Sequence, residues 1–440
     1  MTGRWMGVDF DGTLAMSGAK VFDGPMGAPI PKMVNRVKAW LEAGIEVRIF
    51  TARVSPKNKD GSITSAEQLD AVRKRIADWT EEHIGKRLEA TCEKDHNILQ
   101  LWDDRAVQVI RDTGEVVWMY HEGSETMIDL KTQRILVTGG TGFFGTHIVD
   151  ALTKHGCLDV SVSNSMFDLR RKDRVYSLLN QFTPDIIIHC AAHCGGIGLN
   201  KERPAELFYD NIMMGATLMD AAHEKGIKKF VQLGTVCEYP KFTPIPFHES
   251  NLWEGYPEET NAPYGIAKKA LLVMGQAYRQ QYGFNVIHLL PVNLYGPRDN
   301  FDPKSSHVIP ALIRKFEDAV GKPSVSVWGS GKAFREFLYV EDAADAVVLA
   351  TERYDGPEPI NIGNGRTISI HDLVGIIAKK VGFTGEIVFD TLMPDGQPER
   401  CLNTKRAFQE FGFEAHTTFS DGLDKTIEWY HMNHRRLLLK

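Results

Sequence analysis

The segment from Arg134 to Leu152, "RILVTGGTGFFGTHIVDAL", does most to restrict what this chain can fold into. An apolar strand runs straight into Gly139-x-x-Gly142-x-x-Gly145, and an apolar-periodic helix opens on the last glycine. Glycines at that junction let backbone approach a pyrophosphate, which sits on the free amides of the helix N-terminus. The same rhythm continues downstream in "DIIIHCAA", "KFVQLGTVC" and "FNVIHLLPVNLYGP", each preceded by a helical stretch. Strands alternating with helices predict an α/β fold with a parallel sheet and functional groups at the strand C-termini.

A second strand-to-turn signal, "WMGVDFDGTLA", lies near the N-terminus and is followed by "GIEVRIFTAR" and "NILQLWDDR". A chain of 440 residues is too long for one small core, so the two sets of signals read as two α/β domains. We expect the first over 1–122, a polar linker over 123–132, and the second over 133–440. A net charge of −6 argues against a nucleic-acid or membrane-surface binder. No apolar run is long enough to span a bilayer. The N-terminus lacks a signal-peptide layout, and the cysteines (92, 157, 190, 194, 237, 401) lack framework spacing. A cytoplasmic protein with reduced thiols is expected.

Asp9-Phe10-Asp11-Gly12-Thr13 puts two carboxylates on alternate residues at a strand end, both facing one pocket. One could attack a phosphorus while the other shuttles the leaving-group proton. Mg²⁺ held by carboxylates would balance the phosphoryl charge. With Thr51, Lys94 and Asp103-Asp104 following in order, the segment resembles the haloacid-dehalogenase-like phosphatase superfamily. That resemblance implies a Rossmann-like domain with Asp9 as nucleophile and Asp11 as acid/base. Thr51 and Lys94 would bind the phosphate of a small molecule, and Asp9, Asp11, Asp103 and Asp104 would hold Mg²⁺. A non-catalytic docking module is the alternative.

In the C-terminal domain, Tyr264 and Lys268 stand at i and i+4 on one helical face, and Thr235 precedes them at a strand end. A lysine so placed is expected to lower the phenol's pKa, and Thr235 supplies a further hydrogen bond to a carbonyl. With the glycine turn, this set resembles the extended short-chain dehydrogenase/reductases. "AAHCGGIGLN", "TVCEYP", "NAPYGIAK", "SSHVIPALIRKF", "VWGSGKAFREFLYVEDAADA" and "PDGQPERCLN" narrow the resemblance to the GDP-L-fucose synthase family. It implies an NAD(P)-binding Rossmann domain with a smaller substrate subdomain, a GDP-sugar substrate and a homodimer. Cys237 and His307 would epimerise at C3 and C5, and Tyr264 with Lys268 would serve reduction at C4. Asn293, Lys315, Trp328, Arg335 and Arg400 would contact the sugar nucleotide. A related epimerase or reductase for another GDP-deoxysugar or GDP-heptose is the alternative.

Cofactor contacts are expected at Gly139, Gly142, Phe143, Phe144, Gly145, Ser163, Asn164, Asp168, Ala191, Ala192, Tyr264 and Lys268. No acidic residue stands at the tip of the second strand in "VSVSNSMFDLRR", where one would bind a ribose 2′-hydroxyl. Arg170 or Arg171 could take a 2′-phosphate, so NADPH is expected, with NADH as the alternative. The stretch "HCAAHC" carries zinc-binding side chains, but no second, distant pair accompanies it.

Overall fold

The computed structural model describes residues 5–11, 13–16, 26–42, 44–56, 63–93, 98–102, 127–163, 166–302, 305–392 and 397–437. The chain divides into two compact units, 1–122 and 123–440.

The first unit runs β1 (Trp5–Asp9), α1 (Pro31–Glu42), β2 (Glu46–Phe50), α2 (Ala66–Ile84), β3 (Ala90–Thr91) and β4 (Ile98–Trp102). Its strands form one parallel sheet in the order β3-β2-β1-β4. β1 is buried along its length, as its unbroken apolar run up to Asp9 requires. α2 begins with a Ser65–Gln68 capping box and ends on Gly85 in the left-handed region. The edge of Trp79 from α2 meets Phe10 at 5.0 Å between ring centroids, closing the core beside the turn after β1.

The second unit begins with β5 (Arg134–Thr138), α3 (Phe143–Lys154), β6 (Asp159–Ser163), α4 (Lys172–Phe182) and β7 (Ile186–His189). Next come α5 (Ile197–Glu202), α6 (Pro204–Glu224), β8 (Lys229–Leu233), α7 (Ala262–Tyr282), β9 (Asn285–Pro291) and β10 (Asn293–Tyr295). Then follow α8 (Val308–Glu317), β11 (Ser324–Trp328), β12 (Phe334–Tyr339), α9 (Val340–Arg353), β13 (Ile360–Ile362) and β14 (Thr367–Ser369). The last elements are α10 (Ile370–Val381), β15 (Glu386–Asp390), β16 (Glu399–Arg400), α11 (Lys405–Phe411) and α12 (Phe419–Leu437).

Six parallel strands form the main sheet in the order β13-β9-β8-β7-β5-β6. The chain leaves β5 for β6 on one side and returns to β7 on the other, so the sheet's switch point lies at the carboxyl ends of β5 and β7. Ligands of such sheets bind in that crevice. Smaller sheets, β10-β12-β14 with β16 and β11-β15, belong to a second layer. A separate core there, including Ile313, Phe316, Leu373, Ile377 and Tyr430, holds α8, α10 and α12 together.

The segment expected as linker is not all polar tether. Leu130 is fully buried in the main core, and the Ile128 amide donates to the Glu352 carbonyl at 3.1 Å. Ile128 and Leu130, packed on that core, anchor the stretch, while Met127 beside them stays exposed.

Candidate active site

β5 delivers the glycine turn to the switch point. Gly139 has φ +68°, and a Cβ there would come within 2.7 Å of the Ala191 Cα. A Cβ on Gly145 would overlap the Gly139 carbonyl. Gly142 caps the twelve-residue α3 without a side-chain hydrogen bond, leaving its first amides for a ligand. Close backbone, absent side chains and the positive end of a helix fit the pyrophosphate of a dinucleotide. Phe144 packs on the main core, and Phe143 lies edge-on to His147 at 6.0 Å.

Ser163 is buried at the tip of β6, in register with Thr138. Asn164 lies outside the described residues. Asp168 is paired with Arg170 at 2.9 Å, Arg170 continues to Asp210 at 2.8 Å, and Arg171 pairs with Asp173 at 3.1 Å. Such exposed pairs are weak, so either arginine can exchange its carboxylate for a phosphate. The Ala191 amide donates to Thr138 Oγ1 at 3.4 Å, and Ala192 is exposed beside it. In the zinc-like stretch, His189 Nδ1 lies 2.7 Å from Thr138 Oγ1, and His193 pairs with Asp210 at 2.9 Å. Burial pulls the His189 imidazole down to about 3, so it is neutral at ordinary pH.

Beyond β8, Thr235 caps a short 3₁₀ turn, accepting from the Cys237 amide at 3.2 Å. Glu238, fully buried, closes the box by accepting from the Thr235 amide at 2.8 Å. Behind it, His288 Nε2 from β9 lies 3.1 and 3.2 Å from the two carboxylate oxygens. Sequence reasoning missed this pair, because only the fold brings β9 beneath the turn. A Cβ on Gly265 would overlap the Cys237 carbonyl, so the first turn of α7 rests on the cysteine backbone.

That turn carries Tyr264 and Lys268. Lys268 is 2% exposed, donates to the Leu233 carbonyl at 3.0 Å and holds its Nζ 6.0 Å from the Tyr264 ring centroid. Burial lowers its pKa, while Cys194, Glu238 and Cys190 oppose the fall. The expected lowering of the Tyr264 pKa is not what the surroundings produce. Burial first, and then the neighbouring thiols and the Glu238 carboxylate, hold the phenol well above its ordinary value. Desolvation of the phenolate leads, so Tyr264 carries its proton at neutral pH.

Cys237 is half-buried, and Arg400 Nη1 donates toward its sulfur at 3.8 Å. Arg400 is itself braced by Gln397 Oε1 at 2.7 Å. On β16 it is the register partner of Arg335 on β12, so two cations stand side by side. Cys194 is exposed on the loop after β7, near Tyr264 and Lys268, and burial by the surrounding protein raises its thiol pKa. That loop also abuts His307: the Gly196 amide donates to Ser305 at 3.3 Å, and a Cβ on Gly196 would press on the Ser306 carbonyl. His307 caps α8, is open to solvent and is still surrounded by enough protein to lower its pKa.

In the smaller layer, Asn293 donates to the Glu336 carbonyl at 2.9 Å. Lys315 donates to the Ser326 carbonyl at 3.0 Å, and its Nζ lies 6.0 Å over the Trp328 ring. Trp328 is 64% exposed, a free face for a planar ring. Arg400 therefore links two groups: Thr235, Cys237, Tyr264 and Lys268 on one side, and the Arg335 strand on the other.

In the first unit, Asp9 ends β1 at 6% exposure, and Thr51 follows the neighbouring β2 at 2%. Arg53, unremarked in the sequence, grips Asp11 through both nitrogens, Nε–Oδ2 2.5 Å and Nη2–Oδ1 2.7 Å. Asp9 and Asp11 both hold the Arg53 pKa up. Lys94, Asp103 and Asp104 lie outside the described residues, and among the described residues no group of three acidic, His or Cys side chains could hold a metal.

Comparison with known proteins agrees with the second unit. Residues 135–363 match the NAD dependent epimerase/dehydratase family. A GDP-L-fucose synthase of Sinorhizobium fredii is 42% identical over 306 residues, 69% of this chain and 97% of that protein. A GDP-L-fucose synthetase structure from Naegleria fowleri bound to NADP aligns with TM-score 0.65 and 29% identity, over 71% of this chain and 98% of that one. A GDP-6-OMe-4-keto-L-xylo-heptose reductase from C. jejuni aligns with TM-score 0.65 and 28% identity, over 68% and 97%. No described helix is long and apolar enough to cross a membrane. The chain belongs, through its C-terminal unit, to the NAD dependent epimerase/dehydratase family, as a GDP-L-fucose synthase-like epimerase/reductase.

Proposed function

We propose that the C-terminal unit is an NADPH-dependent 3,5-epimerase and 4-reductase that converts GDP-4-keto-6-deoxy-D-mannose, or a close relative, to GDP-L-fucose or the matching GDP-sugar. One observation carries this reading: the backbone of Cys237 lies against the turn of α7 that bears Tyr264 and Lys268, and its thiol takes the approach of Arg400. Hydride transfer to a ketone needs a hydroxyl, a phenol and a lysine, but it has no use for a thiol. Epimerisation does, because a C4 ketone acidifies the C3 and C5 protons and a base and an acid must exchange them. Cys237 and His307 take those roles, Thr235 donates to the C4 oxygen, and Tyr264 gives that oxygen its proton. NADPH, when bound, supplies hydride to C4. Trp328, Lys315, Arg335, Arg400 and Asn293 hold the nucleotide diphosphate. NADH is the second choice of cofactor, Arg170 or Arg171 being the cations near enough in sequence to the β6 tip to select a 2′-phosphate.

The test is turnover of the 4-keto sugar nucleotide with excess NADPH in heavy water. Stoichiometric loss of nicotinamide absorbance and solvent deuterium at both C3 and C5 are expected. Absence of both sinks the reading. The likeness to the C. jejuni reductase favours one alternative, a GDP-heptose 4-reductase, which consumes NADPH without carbon-bound exchange at C3 and C5.

For the N-terminal unit the reading is a Mg²⁺-dependent phosphatase acting on a phosphorylated small molecule. Its support is the approach of Asp9, Asp11 and Thr51 at the carboxyl ends of adjacent parallel strands. Asp9 attacks phosphorus, and Asp11, once it leaves its ion pair with Arg53 and takes up a proton from solvent, passes that proton to the leaving group. No step is assigned to the metal, since the described residues do not assemble a site for it. Loss of phosphate release in Asp9→Asn, against a panel of sugar and nucleotide phosphates, is expected. Release that persists in that variant makes the unit a docking module. The enzyme works in the cytoplasm as a homodimer through α6 and α7, which expose Phe208, Tyr209, Val273 and Tyr282. Sedimentation at a monomer's mass contradicts this.

A further inference from the structure

Beneath the Thr235–Cys237 turn lies a buried acid–imidazole pair that the reaction scheme above does not use. Glu238 is fully buried and His288 is 2% exposed, and a carboxylate so placed is costly unless it is paired and put to use. One oxygen of Glu238 accepts from the Thr235 amide at 2.8 Å, and both lie within 3.2 Å of His288 Nε2. Gly234 sits directly over the pair, where a Cβ would overlap Glu238 Oε1 and His288 Nε2 together. Nothing larger than glycine lets β8 pass so close.

We propose that Glu238, seated on His288, is a positioning residue that fixes the Thr235–Cys237 turn and supplies the buried countercharge that keeps Lys268 ionised beneath Tyr264. Lys268 Nζ donates to the Leu233 carbonyl at 3.0 Å, and the next residue, Gly234, is the one packed on Glu238 Oε1, so ammonium and carboxylate meet on the same short piece of backbone. Of the groups facing Lys268, Glu238 favours its charged form and burial opposes it, while burial raises the pKa of both thiols, Cys190 and Cys194, and so keeps them protonated at ordinary pH. Glu238 also acts on its neighbour Lys269 and on Tyr264, favouring the charged lysine and the protonated phenol. From β7, His189 is neutral and adds no charge at ordinary pH. Removing the carboxylate therefore lowers the pKa of Lys268 and of Tyr264 together, and both losses shrink the pH range in which a proton-donating phenol stands over an ammonium.

The proposal rests on the reductase reading only for its consequence in turnover, so the decisive measurement avoids turnover. In protein carrying [ε-¹³C]lysine, with the Lys268 signal assigned by Lys268→Met, the titration midpoint is read in the wild type and in Glu238→Gln. The glutamine still accepts from the Thr235 amide, so the turn is kept and only the charge is lost. The midpoint should fall by about one pH unit or more. Coincident midpoints overturn the proposal. His288→Gln, which leaves the carboxylate in place, should not lower the midpoint, and a fall equal to that in Glu238→Gln also overturns it. In turnover, the alkaline limb of NADPH consumption should move to lower pH in Glu238→Gln, which a purely structural role would leave in place. If the NMR shift is found and the wild type consumes no NADPH with the 4-keto sugar, the reductase reading fails and the countercharge stands.

Discussion

Cys237 is where the chemistry of one side chain separates two enzymes. A packed thiol and a catalytic thiol look alike in sequence, and free cysteine is usually the former. Here the sulfur is half-buried, Arg400 reaches toward it and α7 rests on its backbone. Cys237→Ser should retain NADPH binding while losing most deuterium incorporation at C3 and C5, about a hundredfold or more as expected for removal of an acid–base group. Equal incorporation in the variant makes the thiol packing after all. Asp299 gives a second prediction, in stability. It is 5% exposed, its Oδ2 has no hydrogen-bond partner among the described residues, and burial lifts its pKa to about 7. A carboxyl raised in the folded state favours folding fully below its unfolded pKa, and that advantage is lost as pH rises to the folded value. Between about pH 4 and 7 the wild type should therefore lose stability that Asp299→Asn keeps. The variant should melt above the wild type at pH 8, with the gap closing toward pH 4. A gap independent of pH contradicts this.

At the scale of elements, the junction from β5 to α3 tolerates little change. Gly145→Ala would put a Cβ into the Gly139 carbonyl, which is backbone and cannot swing away. The turn would have to open, so NADPH affinity measured by fluorescence titration should fall at least tenfold, while Ala151→Gly on the same helix should not touch it. This junction was legible because its geometry is local: strand, glycine spacing and helix are contiguous, and each glycine answers a steric demand inside the motif. The Tyr264–Lys268 spacing was legible for the same reason, being two positions on one helical face. The electrostatics of that pair were not, because burial depends on β7, β8 and β9 closing around it, and it reversed the expected direction for the phenol. Glu238 and His288 were invisible for the same cause: fifty residues apart, each is an ordinary residue until β8 and β9 lie side by side. Arg53 escaped notice although it lies only two residues beyond Thr51, since its partner Asp11 is set by the neighbouring strand.

For the whole molecule, the question is whether the two units need one another. Each has its own sheet and its own hydrophobic core, and Leu130 and Ile128 tie the start of the second unit to its main core. The Sinorhizobium fredii relative aligns over 97% of its length with 69% of this chain, so a protein of about the second unit's size stands on its own there. A chain covering 127–440 keeps the Ile128–Glu352 bond and the buried Leu130, and it should fold. With GDP-4-keto-6-deoxy-D-mannose it should consume NADPH within about twofold of the full-length rate, because every residue assigned to that chemistry lies within it. Phosphate release should disappear with the first unit. A truncated protein that binds NADPH normally yet turns over at a small fraction of the full-length rate would mean that the N-terminal unit takes part in the reductase reaction, and the division of labour argued here would fail.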